Sequence, residues 1–150
     1  MAALSGAMAF ALVEMVARLT AGKKGYEVVN EEMSAIIAKA VALREELLAD
    51  VDRDSAAFDQ VTAAFKLPKD SAEDKARRTA AIQDAFKAAA RLPLQVATRL
   101  VQAMPLIEAV IERGNKNANS DAVSAALQAK SAIAGALANV KINQIGRAHV

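Results

Sequence analysis

Between Asn30 and about Ala64, the apolar residues Met33, Ile36, Ile37, Ala40, Val41, Leu43, Leu47 and Leu48 recur at helical spacing, and nowhere does the chain alternate as a half-buried strand does. Only 3% of the residues are aromatic while 54% are hydrophobic, so the core must be built from Ala, Leu, Val, Ile and Met. Those side chains suit closely spaced helices better than a sandwich of sheets. The expected fold is all-α, a bundle of about five helices, and a chain of 150 residues suits one domain.

The turns between the helices can be placed from local chemistry. The first apolar segment, MAALSGAMAFALVEMVARLT, has no basic residues ahead of it and is interrupted by Glu14 and Arg18. It reads as a buried helix rather than a signal peptide or a membrane span. Gly22-Lys23-Lys24-Gly25 supplies a glycine stop with cations at the helix C-terminus. Asn30 then reads as an N-cap, with Glu31 and Glu32 in the first turn. Leu67-Pro68 breaks the second helix, and Ser71 with Asp74 predicts a capping box. Leu92-Pro93 marks a kink or a new helix start, Pro105 a second kink, and Arg113-Gly114 a stop. Asn115-Lys116-Asn117-Ala118-Asn119 is a polar loop, and Ser120 with Asp121 opens a final Ala-rich helix through about Ala138.

Charge and cysteine content narrow the chemistry. The net charge of +2 is spread over both signs with no basic run, which gives no support for nucleic-acid binding. Without cysteine there is no disulfide framework or thiolate metal site, and a single histidine leaves little for zinc or a Ser/His system. A cytoplasmic protein that uses no metal and no membrane is the expectation.

Six stretches, in order and at consistent spacing, carry a resemblance. They are Ala2-Ala3-Leu4-Ser5-Gly6-Ala7, Leu19-Thr20-Ala21-Gly22-Lys23-Lys24-Gly25-Tyr26, Asp52-Arg53-Asp54-Ser55-Ala56-Ala57-Phe58, Leu67-Pro68-Lys69, Gly114-Asn115-Lys116-Asn117 through Ser120-Asp121, and Asn139-Val140-Lys141-Ile142-Asn143. No one of them is specific, but together they resemble the cyclodeaminase/cyclohydrolase family: the helical domain of formiminotransferase-cyclodeaminase and the bacterial methenyltetrahydrofolate cyclohydrolases.

The resemblance implies an all-helical domain that forms a homodimer and acts on a tetrahydrofolate derivative as substrate, at the one-carbon unit between N5 and N10. It also implies a formiminotransferase domain upstream in a full-length protein of the fused type. A catalytically inactive helical dimer or assembly module of the same fold is the alternative. The family pattern includes a Pro-Gly-Gly-Gly-Ser lead-in and further helical sequence after Ile142-Asn143, so the expected domain spans residues 1–144 and is shortened at both ends. Ile145-Gly146-Arg147-Ala148-His149-Val150 reads like one frame of a sequencing adaptor, and residues 145–150 are set apart as a non-native tail that carries the only histidine.

Closing or opening the folate one-carbon bridge passes between cationic amidinium-like species and a tetrahedral carbon. A carboxyl group can stabilise the cation and move a proton, with no metal or covalent nucleophile. Asp52 and Asp54 point to nearly opposite sides of a helix, so only one can face a given cleft. The resemblance assigns the family's proton donor to Asp54, and Asp50, one turn earlier, is expected to raise its pKa by like-charge repulsion. Without the resemblance, Asp54 reads as a solvated acid.

The candidate substrate-binding residues are Lys23, Lys24 and Tyr26 for the glutamate tail and pterin, Lys66 and Lys69 for carboxylates, and Asn115, Asn117, Ser120 and Asp121 for the pterin edge. Against these stand a solvated C-cap, ordinary loop lysines, and capping or turn formation. Asn139 and Asn143, four apart on an apolar helix, need a buried partner or a ligand.

Overall fold

The computed structural model describes residues 1–148. Four long helices make up the chain: α1 (Ala2–Arg18), α2 (Asn30–Phe65), α3 (Ala72–Arg113) and α4 (Asn119–Ala148). Single 3-10 turns, Glu27–Val29 and Lys116–Ala118, precede α2 and α4, and no strand occurs among the described residues. The count is four rather than about five because α3 continues through both Pro93 and Pro105.

An apolar stretch of α3 is long enough by length and composition to cross a membrane. Its Val96, Leu100, Ile107 and Val110, however, are spent in the core. Burial of those side chains against Phe10, Val13, Met33 and Leu47 is the main force holding the bundle together. The seam that α4 and the 3-10 turn before it contribute is nearly all alanine: Ala118 from the turn, then Ala122, Ala125, Ala129, Ala132 and Ala136 from the helix, are buried at alternating steps of four and three. Such a row lets a facing helix approach closely. Gly6 serves the same end on α1, since a Cβ there would lie 2.9 Å from Leu100 Cδ2 and 3.3 Å from Leu47 Cδ1.

The helix ends follow the local signals with three corrections. Ser71 and Asp74 form the expected capping box: the Ser71 hydroxyl oxygen accepts from the Asp74 N–H at 3.0 Å, and the Asp74 carboxylate accepts from the Ser71 N–H at 3.4 Å. Gly22 is not the stop of α1, which ends at Arg18 with Leu19 as its C-cap in ordinary helical conformation; Gly22 and Gly25 instead take positive φ, +72° and +89°, in the turn that follows, which lets the chain reverse tightly. Asn30 is not the N-cap of α2. Val29 holds that place, and the Asn30 side chain turns back to accept from the Gly22 N–H at 2.7 Å. The last helix does not stop near Ala138 but runs to Ala148, so residues 145–148 continue α4, while His149 lies outside the described residues.

Outward from the core, α1 presents Leu4, Met8 and Met15, with Leu19 just beyond its end, as a row of exposed apolar side chains. Nothing among the described residues covers it.

Candidate active site

The site begins with one face of α2. Asp54 and the residues at i+4, i+7, i+8 and i+11 from it (Phe58, Val61, Thr62 and Phe65) line one wall of a cleft of about 630 Å³. Phe86 and Ala89 from α3, and Asn139, Ile142 and Asn143 from α4, line the other walls. A smaller lobe of about 210 Å³ adjoins it, bordered by Met1, Ala2, Asp50, Asp54, Pro93 and Asn139 among others. Asp54 and Asn139 are the two residues common to both lobes. The larger lobe alone falls within the size range of small-molecule sites.

Phe65 and Phe86 meet edge to face, with ring centroids 6.1 Å apart, and Arg78 stacks over Phe65 at 5.5 Å while donating to its carbonyl. Phe58 remains 70% exposed inside the cleft. With four phenylalanines in the whole chain, three lie here, which favours a flat or aromatic ligand. None of the three was singled out from the sequence, although Phe58 and Phe65 share the helical face of Asp54.

Asp54 is half-buried where the lobes join, whereas Asp52 is exposed, as the helical geometry required. Asp50 departs from its expected part. It is fully buried and bridges two helices: Arg53 donates to its Oδ1 at 2.7 Å, and Arg99 from α3 donates to its Oδ2. Two guanidinium groups offset its charge, so Asp50 ties α2 to α3 rather than acting as a repulsive neighbour of Asp54.

Asn139 and Asn143 are both in the cleft. Asn143 Nδ2 donates to Asn139 Oδ1 at 3.2 Å and to the Ala89 carbonyl at 3.3 Å. Pro93 explains the second bond, since it has no N–H to give the Ala89 carbonyl one turn back. The signal was legible as a proline inside a helix, but not its partner.

The other expected binding residues are elsewhere. Gly22 is bonded to Asn30, and Asn30 lies roughly 36 Å from Asp54 along α2 at 1.5 Å per residue. At that end, Lys23 Nζ donates to Asn115 Oδ1 at 2.9 Å and sits 5.7 Å from the Tyr26 ring centroid. The Tyr26 hydroxyl accepts from the Lys116 N–H at 3.0 Å, and Asn115 Oδ1 also accepts from the Asn117 N–H at 3.1 Å. Buried Thr20 accepts from the Asn115 N–H and donates to the Val16 carbonyl.

These bonds lace the α1–α2 turn to the α3–α4 turn, so Lys23, Tyr26, Asn115 and Asn117 are used as structure. Exposed Lys24 lies in the same turn, and Ser120 and Asp121 open α4 at that end, so none of the seven reaches the Asp54 cleft of its own chain. Lys66 and Lys69 are exposed just past Phe65, roughly 18 Å or more along the chain from Asp54, beside the cleft but not lining it. Among the described residues no group of three or more His, Asp or Glu side chains is placed to hold a metal ion.

The sequence model described as Formiminotransferase-cyclodeaminase matches residues 1–146. The chain is 42% identical to a methenyltetrahydrofolate cyclohydrolase of Methylorubrum extorquens, over 97% of this chain and 70% of that protein. It is 36% identical to a formimidoyltransferase-cyclodeaminase of Sus scrofa, over 95% of this chain and 26% of that protein, so it spans about a quarter of the fused relative. Its structure is similar to the crystal structure of a formiminotetrahydrofolate cyclodeaminase from Thermotoga maritima, with a TM-score of 0.81 and 35% identity across 95% of this chain and 67% of that one. With a matched region that takes in all the residues of the cleft, the chain belongs to the formiminotransferase-cyclodeaminase family.

Proposed function

We propose that the Asp54 cleft binds a tetrahydrofolate one-carbon derivative and catalyses cyclodeamination of the formimino form or hydrolysis of the methenyl form. The observation that carries this reading is the position of Asp54, the one acid shared by both lobes: Asp59 borders only the larger lobe, and Asp50, bordering only the smaller, is already paired with two arginines. Both reactions develop or discharge an amidinium-like cation, and a fixed carboxylate beside the reacting carbon lowers the energy of that cation and takes or returns the proton on nitrogen. Phe58, Phe65 and Phe86 supply flat apolar surface for the aromatic parts of the substrate, and Asn139 and Asn143 supply amide groups for its polar edge. Lys66 and Lys69, exposed beyond the Phe65 end, would attract the substrate's carboxylates.

The reading is tested by mixing purified protein with 5,10-methenyltetrahydrofolate or 5-formiminotetrahydrofolate and following the methenyl absorbance band, with calorimetry for binding. Turnover of either supports it. A folded chain that binds neither folate contradicts it and favours an assembly module of the same fold.

The same proposal includes a homodimer. The outer row of α1, Leu4, Met8 and Met15 with Leu19, supports it, because a helix of 17 residues is about 25 Å long and can pair with its own copy across a two-fold axis. Flanking residues are needed to reach the ~800 Å² per partner typical of stable pairs, and exposed Leu48 of α2 and Leu127 of α4 are the apolar candidates on the neighbouring helices. For a full-length protein we further propose an added transferase domain, which the fused relative's much greater length supports.

A further inference from the structure

In an uninterrupted helix the Ala89 carbonyl would accept from the N–H of residue 93, and Pro93 has none. The carbonyl accepts instead from Asn143 Nδ2 at 3.3 Å, across from α4. The same nitrogen lies 3.1 Å from the Asn139 main-chain carbonyl and 3.2 Å from Asn139 Oδ1. Main-chain carbonyl oxygens only accept, so the Asn143 atom between the two of them must be the NH2 group, and the Asn139 atom facing it must be the oxygen. The backbone thus dictates which way both amides are turned. Asn139 is left with its NH2 group on the side away from Asn143, without a hydrogen-bond partner among the described residues, in a side chain shared by both lobes of the cleft.

We infer that Pro93, the Ala89 carbonyl and Asn143 form a positioning relay that presents the Asn139 NH2 group as a hydrogen-bond donor in the Asp54 cleft, where it takes the ring carbonyl of a reduced pterin. The inference rests on the folate reading above and adds to it a substrate contact with a direction. A donor fixed in place selects a ring with an oxygen at the 4-position over one with an amino group there, which would set donor against donor. Pro93 has a purpose in this arrangement beyond bending α3. By withholding its own N–H it keeps a carbonyl open for the α4 amide, and so couples the interior of α3 to the orientation of a side chain on α4.

The test compares tetrahydrofolate with its 4-amino counterpart by calorimetry, on the wild-type chain, Asn139→Asp, Pro93→Ala and the double variant. Wild type should prefer the 4-oxo ring. Asn139→Asp, nearly isosteric but without the donor, should bind the 4-oxo ring about three- to tenfold more weakly and lose the preference. Pro93→Ala should raise the thermal midpoint, because a helix-interior proline is removed, and still lose part of the discrimination, because the restored N–H takes back the Ala89 carbonyl. A merely structural role for Pro93 predicts the higher midpoint with discrimination intact. The double variant should be no worse than Asn139→Asp alone. Undiminished discrimination in Asn139→Asp, in a chain whose wild type binds folate, overturns this inference and leaves the functional reading standing. A wild-type chain that binds neither ring overturns both.

Discussion

Replacing Asp50 by Asn should destabilise the bundle by about 2–3 kcal/mol, and the size of the effect can be worked from its surroundings. Breaking a buried ion pair by removing one partner costs about 3–5 kcal/mol, because the remaining charge is left unpaired away from water. Asp50 is fully buried, but its partners are not equally so: Arg53 is 57% exposed and can turn into solvent, while Arg99 is 24% exposed and keeps Glu46 at 3.4 Å. That partial rescue moves the estimate to or below the lower end of the range. The Asn side chain also offers an NH2 group to one guanidinium, where two donors meet. Urea unfolding followed by helical circular dichroism should show the midpoint lowered by about 1–2 M, with Asp52→Asn, at an exposed position, within ~0.5 kcal/mol of wild type. Adding Arg99→Met to Asp50→Asn should recover part of the loss by removing the stranded cation. If Asp50→Asn proved as mild as Asp52→Asn, the view of Asp50 as the charge that ties α2 to α3 would be wrong.

Three other expectations are open to simple measurements. Gly114→Ala should cost about 1–3 kcal/mol in urea unfolding, because its Cβ would collide with the Val110 carbonyl oxygen that closes α3 and would press on Val16 at 3.1 Å; an unchanged midpoint would contradict the packing described there. The Glu27 carboxyl is held below its ordinary value of 4.5 by the Gly25 N–H and by its own, so its contribution to the turn before α2 is intact above that value and lost as pH falls through the lowered one. Amide exchange of Gly25 should accelerate relative to neighbouring turns across that acid window, whereas in Glu27→Gln the pH-linked step should vanish. Met8→Glu, at the middle of the exposed α1 row, should convert a dimer to a monomer in sedimentation with helicity unchanged; a dimer that survives it pairs through another face.

The helical character and most of the boundaries were legible because they depend on short-range chemistry. Ser71 caps α3 with Asp74, Gly22 and Gly25 take the left-handed backbone, and the 3.6-residue period of α2 points its apolar face inward. What could not be read was whether a local break would be repaired from a distance. Pro93 is a helix breaker by its own chemistry, but a side chain fifty residues further on accepts the role of the missing N–H, and α3 continues.

The same limit governed the site. Helical geometry separated Asp54 from Asp52, because two residues on one helix have a fixed angular relation. It misjudged Asp50, whose partner Arg99 comes from another helix. The polar groups at residues 23–26 and 115–121 were each read as a candidate substrate contact, and their convergence on one another could not be read. They are consumed by one another at the end of the bundle remote from Asp54. Sequence chemistry alone does not distinguish donors that face a ligand from donors that fasten two turns together.

The central claim is that the carboxyl group of Asp54 does chemistry rather than hold structure. The most direct measurement sets Asp54→Asn beside wild type with 5,10-methenyltetrahydrofolate and 5-formiminotetrahydrofolate, reading the methenyl absorbance for turnover and calorimetry for affinity. The variant should keep its helical spectrum and bind folate within about threefold of wild type, while turnover falls by about 100-fold or more, the size expected for a lost general acid–base group. A variant that turns over at the wild-type rate would contradict the claim.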